Sequence, residues 1–225
     1  MKFIHIADVH LGVTPDVGMP WSETRSRDIW NSFRLVIDQA RTQQVDLLLI
    51  AGDLFHRQPL KRELKEIAAW FAEIPDTEVV LIAGNHDFLY AKSYYRTFSW
   101  PENVHFILER DLTVVHLERI HTTVWGCSFL DKEDTRTVYS SDILRKMIRN
   151  KAVRNVRDAE YDVSLAQGTV GRLSDLEQTN QRRENFQILL GHGGDDRHHP
   201  FRAGEIAAAG FDYAAFGHIH KAAQL

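Results

Sequence analysis

The sequence predicts an α/β fold in which short buried strands alternate with amphipathic helices. Three observations carry this. The run from Leu47 to Ala51 is apolar throughout and stops at Gly52-Asp53, the pattern of a parallel strand covered on both faces. Segments with apolar residues at helical spacing lie on either side of it. An apolar run closed by Asp, Asn or His recurs at four other places, and in open α/β sheets the carboxyl ends of strands are where sites form.

In chain order, Lys2 to Ala7 reads as a strand ending in Asp8-Val9-His10, followed by a loop with Gly12, Pro15, Gly18 and Pro20. Arg25 to Thr42 is helical, with Ile29, Trp30, Phe33, Val36, Ile37 and Ala40 on one face. After the Val45–Ala51 strand, a helix is predicted from Leu60 to Ile74, with Leu64, Ile67, Ala68 and Phe71 facing inward and Pro75 as the stop. Val79 to Ala83 is the next strand and runs into Gly84-Asn85-His86-Asp87. Val104–Leu108, Leu112–Leu117 and Thr122–Phe129 then read as three strands on short connections, expected to be antiparallel neighbours.

A polar, arginine-rich insertion covers about 131–185, with helices expected over Ser141–Arg157 and Leu173–Arg183. Core order returns at Phe186–Leu190, which ends in Gly191-His192. A short helix, Ala203–Ala209, is closed by Gly210. The last strand, Tyr213–Phe216, leads into Gly217-His218-Ile219-His220.

A chain of 225 residues can bury the core of one α/β domain, and residues 1–225 are expected to form one. The single cysteine, Cys127, rules out an intramolecular disulfide and fits a reducing compartment. The N-terminus has no basic start followed by an apolar core, and no apolar run reaches the ~18 residues of a membrane helix. The expectation is a cytoplasmic protein without a membrane partner. A net charge of −4 gives no support to an autonomous nucleic-acid binder, although bound divalent cations would add local positive charge.

Seven residues at strand ends form one candidate ligand set: Asp8, His10, Asp53, Asn85, His192, His218 and His220. Carboxylate, imidazole and amide oxygen suit manganese first, with iron, zinc or magnesium as alternatives, and the lack of thiolate argues against structural zinc. Seven ligands exceed what one ion with an open position takes. They suit two divalent ions about 3.5–4 Å apart, with Asp53 between them, set up for in-line displacement at phosphorus. His86, beside Asn85, is the candidate acid or transition-state stabiliser. Asp87 is expected to accept a hydrogen bond from its imidazole, and His56 to reach the same pocket.

Asp8-Val9-His10, Gly52-Asp53-Leu54-Phe55-His56, Gly84-Asn85-His86-Asp87, Gly191-His192 and Gly217-His218-Ile219-His220 resemble, in order, the five signature blocks of calcineurin-like metallophosphoesterases. The resemblance implies a four-layer sandwich, two mixed β-sheets flanked by helices. It also implies that Asp8, His10, Asp53 and His220 hold one metal and that Asp53, Asn85, His192 and His218 hold the other. Asp-Val-His-Leu-Gly at residues 8 to 12 and His56 look most like the SbcD-type DNA-repair nucleases. Serine/threonine phosphatases carry Asp-Arg-Gly after the second block and glutamate where Asp87 stands, and both features are missing here.

The implied function is hydrolysis of DNA phosphodiester bonds, as an exo- or endonuclease. The alternatives are a phosphoesterase for cyclic nucleotides, nucleotides or small phosphomonoesters, and a non-catalytic scaffold, which would be expected to lose ligands. The implied partners are DNA, an SbcC-like ATPase and a second copy of the chain. Such nucleases continue past the last block into a capping region and an ATPase-docking segment, whereas this sequence stops at Leu225, so the capping region is expected to be absent. His198-His199-Pro200 reads as a solvated loop, and His105, His116 and His121 as ordinary sheet residues. The basic run Ile143–Arg157, with Arg149 and Arg154, reads as a solvated helix face, with tracking of a phosphodiester backbone as the sharper alternative.

Overall fold

The computed structural model describes residues 1–146 and 185–219. Within them, eight strands form two four-stranded sheets. The first sheet contains β1 (Phe3–Ile6), β2 (Leu47–Ala51), β3 (Glu78–Ile82) and β4 (Val104–Ile107), side by side in that order and parallel throughout. The second contains β5 (Thr113–Leu117), β6 (Thr122–Gly126), β7 (Phe186–His192) and β8 (Tyr213–Gly217). Its β5–β6 pair is antiparallel and the rest parallel, so the mixed character expected of both sheets belongs to the second alone.

Helices α1 (Ser22–Thr42) and α2 (Lys61–Ala72) cover the first sheet, and α3 (Ala203–Ala209) packs on the outer face of the second. The alternation of β2 accounts for the layers. Leu48 and Ile50 meet Phe33, Ile37, Leu64, Ile67 and Phe71 of the two helices. Leu47, Leu49 and Ala51 point the other way, into an inter-sheet core with Val80, Ile82, Val124, Ile188, Leu190 and Ala215. Every residue of β2 is buried, as its uninterrupted apolar run predicts.

Local chemistry sets the helix ends. The Leu60 amide donates to Glu63 at 2.7 Å, and Arg57 pairs with the same carboxylate at 2.7 Å, which fixes the start of α2. The side-chain nitrogen of Asn103 lies 3.0–3.1 Å from the carbonyls of Phe71, Ile74 and Thr77, tying the end of α2 to the entry of β4.

The expected trio of antiparallel neighbours is corrected. β4 pairs in parallel with β3, and only β5 and β6 are antiparallel. The crossover from β3 to β4 contains a single 3-10 turn, Tyr94–Arg96, and is closed by the packed rings of Tyr95, Trp100 and Phe106. A parallel return needs chain length and a covered face, not an α-helix, and the aromatic cluster supplies the cover. The short link after β4 carries the chain from one sheet to the other. His121 sits in a left-handed turn just before β6 rather than within the strand.

Residues 141–146 are helical; the rest of the helix expected to Arg157, the helix over Leu173–Arg183, and Arg149 and Arg154 lie outside the described residues. Among the described residues, no helix is long and apolar enough to cross a membrane. β2 packs against β7 and β8 across the sandwich, so the carboxyl ends of strands from both sheets meet at one edge.

Candidate metal centre

Glycines let those strand ends come within contact distance. A Cβ at Gly84 would overlap the Asp53 carboxylate and lie 2.6 Å from the Asp53 nitrogen. One at Gly217 would overlap the Ala51 carbonyl and lie 2.7 Å from Ala7 Cβ. One at Gly52 would overlap the His192 ring, and Gly52 also turns through φ +83°. Gly52, Gly84 and Gly217 are therefore spacing devices between neighbouring ends, and Gly52 is a turn former as well.

The backbone at the site is unusual too. Asp8 (φ 54°), His10 (φ 53°), Asp53 (φ 50°) and His218 (φ 97°) are all left-handed, at a cost of roughly 1–2 kcal/mol each. Hydrogen bonds between the loops hold them there. Asp8 N–H donates to Gly52 O at 3.2 Å and His10 N–H to Asp53 O at 3.0 Å. His218 N–H donates to Asp8 Oδ2 at 2.8 Å, and His86 N–H to Asp53 Oδ1 at 2.9 Å.

Two donor sets result. In one, ligand atoms of Asp8, His10 and Asp53 all lie within 4.8 Å of one another. In the other, Asn85 Oδ1 is 3.0 Å from His192 Nε2 and 3.1 Å from His218 Nδ1, while Asp53 Oδ2 is 3.4 Å from His192 Nε2. Cis ligands at bonds of about 2.1 Å around one ion are about 3 Å apart, so these spacings fit a divalent cation. Asp53 Oδ2 also lies 3.9 Å from His10 Nε2, which puts one carboxylate oxygen between the two sets. Burial alone would raise the Asp53 pKa, but the His192 imidazole and the His86 amide outweigh it and hold the carboxyl below its ordinary value. His192 Nδ1 donates to Ala51 O at 2.8 Å, leaving Nε2 as the ligand nitrogen. The chain thus brings Asp8, His10, Asp53, Asn85, His192 and His218 together, whereas His220 lies outside the described residues.

His86 stacks on His56 with ring centroids 4.8 Å apart and meets His10 edge-on at 4.8 Å. Its Nδ1 is 3.1 Å from the His56 carbonyl, which can only accept, so Nδ1 carries a proton. His56 Nδ1 is 3.4 Å from His10 Nδ1, and burial followed by the charge of His86 lowers the His56 pKa.

The expected partnership of Asp87 with the His86 imidazole is corrected. Asp87 is fully buried and accepts instead from Gly84 N–H (2.8 Å), Phe55 N–H (3.1 Å) and Tyr95 O–H (2.9 Å). Burial and the nearby Asp53 carboxylate push its pKa up to about 6. It ties the second block to the third and does not face the pocket. Its role depends on Phe55 and Tyr95 arriving from elsewhere in the fold, which spacing alone does not reveal.

The solvated-loop reading of His198-His199 is corrected as well. His199 is fully buried against Phe129 and Tyr139, with Nε2 3.3 Å from Asp134. His198 bonds Asp195, and Asp195 in turn contacts His218. Asp195 closes no apolar run, so strand-end spacing does not single it out; its signal in the sequence is an aspartate three residues before His198, in the loop that follows the His192 block.

Comparison with known proteins points to one family. Residues 1–222 match the family model described as calcineurin-like phosphoesterase. An uncharacterized metallophosphoesterase of Bacillus subtilis, YhaO, is 28% identical over 98% of this chain and 49% of its own length. The DNA double-strand break repair protein Mre11 of Archaeoglobus fulgidus is 40% identical over 39% of this chain and 19% of its own length. That of Methanopyrus kandleri is 24% identical over 98% of this chain and 44% of its own length. The chain thus spans at most about half the length of these relatives.

Proposed function

Because the chain belongs to the calcineurin-like phosphoesterase family, we propose that it is a metal-dependent phosphodiesterase that hydrolyses DNA. The observation that carries its metal-dependent part is Asp53 Oδ2, lying between His192 Nε2 at 3.4 Å and His10 Nε2 at 3.9 Å, where one carboxylate serves two donor sets. Asp8, His10 and Asp53 would hold one divalent ion, joined by His220, and Asp53, Asn85, His192 and His218 the other, with manganese the first choice. Bound there, such a pair supplies Lewis acidity to the phosphoryl oxygens and a nucleophile at neutral pH.

The chain's own groups do the rest. With Nδ1–H of His86 committed to the His56 carbonyl, Nε2 is the atom left to face the leaving oxygen, to which the doubly protonated ring would donate its Nε2 proton. The stacked His56 fixes the plane of that ring. The Asp87 brace keeps the Asp53 and Asn85 loops at constant separation. Asp-Val-His-Leu-Gly at residues 8 to 12, the position of His56 beside His86, and the names of the Mre11 relatives favour DNA over small esters as substrate. An SbcC-like ATPase and a second copy of the chain are the partners that go with this reading.

The test is to assay one manganese-loaded preparation on single- and double-stranded DNA, a cyclic nucleotide and an aryl phosphomonoester. DNA cleavage that stops with chelator is expected. His86→Ala should lose about 10²–10⁴-fold in rate while keeping its metals. Turnover of the small esters without DNA cleavage refutes the nuclease reading.

A further inference from the structure

We propose that Asp195 is a positioning residue for the His192–His218 pocket, selecting the nitrogen that His218 offers to the ion. The inference rests on the metal-centre reading above and adds to it a residue outside the five blocks.

Asp195 Oδ2 lies 2.7 Å from His218 Nε2, on the side of the ring opposite Nδ1, which faces Asn85 Oδ1 at 3.1 Å. A carboxylate only accepts, so Nε2 carries the ring proton and the Nδ1 lone pair is left for a metal. The carboxylate is itself fixed before His218 meets it. Its Oδ1 accepts from the backbone N–H of Arg197 (2.8 Å) and of His198 (3.0 Å), and from His198 Nδ1 (2.8 Å). The His198 ring then packs on the His218 ring with centroids 4.4 Å apart. Gly193 and Gly194, at φ +127° and +122°, fold this loop back so that Gly193 N–H reaches Gly217 O at 3.2 Å.

The two imidazoles of the pocket are therefore held differently. His192 presents Nε2 and is backed by a main-chain carbonyl, which the sequence cannot change. His218 presents Nδ1 from a left-handed backbone position and is backed by a side chain, which the sequence can change. Without Asp195, the His218 ring loses the acceptor that sets its tautomer and its rotation. Loss of such an outer partner typically weakens metal binding about 10–100-fold.

The test uses the full chain, stripped of metal and titrated with Mn²⁺ by calorimetry, in wild type, Asp195→Ala and the shape-conserving Asp195→Asn. Melting in chelator reports on the fold, and long-range ¹H–¹⁵N spectra of the Zn²⁺-loaded protein report the His218 tautomer. The expected result is a loss of about 10–100-fold at one of two sites in Asp195→Ala, with the other site within twofold and an unchanged melting temperature. Asp195→Asn keeps one acceptor oxygen in place of two, so it can serve either the Arg197 and His198 donors or His218 Nε2–H but not both, and should fall between wild type and Asp195→Ala; wild-type His218 should carry its proton on Nε2. Wild-type affinity at both sites in both variants overturns the proposal, as does an equal loss at the two sites. A wild-type chain that binds no divalent ion overturns the metal-centre reading itself and this inference with it.

Discussion

Gly84→Ala would test whether the site is built by close approach of strand ends. An added Cβ would lie 2.6 Å from the Asp53 nitrogen and overlap its carboxylate, whereas ordinary contact begins near 3.4 Å. Either the Asp53 main chain or the Gly84 turn must then move by about 0.8 Å in a core packed to crystal density. The move cannot be absorbed by a flexible side chain, because Asp53 is bonded through His86 N–H and its neighbours through the Asp87 carboxylate. Metal–ligand distances tolerate only about 0.2 Å. The expected outcome is a folded protein, weakened by about 1–3 kcal/mol from overpacking, that no longer retains two ions. Metal content after desalting, together with urea unfolding in chelator, reads both effects. Gly204→Ala, in α3 with open space around its Cβ, is the control and should be neutral or slightly stabilising. Two tightly held ions and unchanged unfolding in Gly84→Ala would refute the reasoning.

Asp53→Asn should weaken both ion sites, read as metal content per chain; retention of one ion at full affinity would show that Asp53 serves a single site. Asp87→Ala leaves Gly84 N–H, Phe55 N–H and Tyr95 O–H without their acceptor, so a loss of about 3 kcal/mol or more is expected on denaturation. A loss under about 1 kcal/mol would mean that these donors find other partners. Burial lowers the His199 pKa to about 4. The unfolded chain takes up this proton near pH 6.5 and the folded chain does so only near pH 4, so the contribution is complete above pH 6.5 and is lost as pH falls through that window. The difference is worth roughly 3 kcal/mol. Denaturation in chelator at pH 7 and pH 4.5 should therefore give a smaller drop for His199→Phe than for wild type, and equal drops would disprove the assignment.

What the sequence made legible follows from where the information sits. β2 and the Val79–Ile82 stretch of β3 are legible because a strand buried on both faces is apolar at every position, whereas the half-buried β1, with His5 inside it, shows only a weak alternation; the ligand residues are legible because each lies at or just after the end of a strand. β4 is legible as a strand but its pairing is not, because its sheet depends on which face the Tyr95–Trp100–Phe106 cluster covers, a long-range property invisible in the length of a link. Sequence adjacency points Asp87 to His86, whereas its partners are Phe55, Gly84 and Tyr95. His199 looked solvated because Asp134 and Phe129, which enclose it, lie far upstream in the chain. Residue type and local run thus locate a ligand, but only the fold reveals what supports it.

The left-handed backbone at Asp8, His10, Asp53 and His218 bears on how this chain can diverge. A glycine at any of the four would relieve roughly 1–2 kcal/mol of steric cost, partly offset by its own entropy in the unfolded chain. While metal binding is under selection, that relief is out of reach, because the same residue must supply a ligand. Once selection lapses, glycine becomes the favoured replacement at these four positions. Asn85 and His192, with φ in the ordinary range, would instead drift toward whatever fills their space. A lineage that has abandoned catalysis should therefore carry a directional mark, glycine at positions 8, 10, 53 or 218, distinct from the scattered changes that follow relaxed constraint elsewhere.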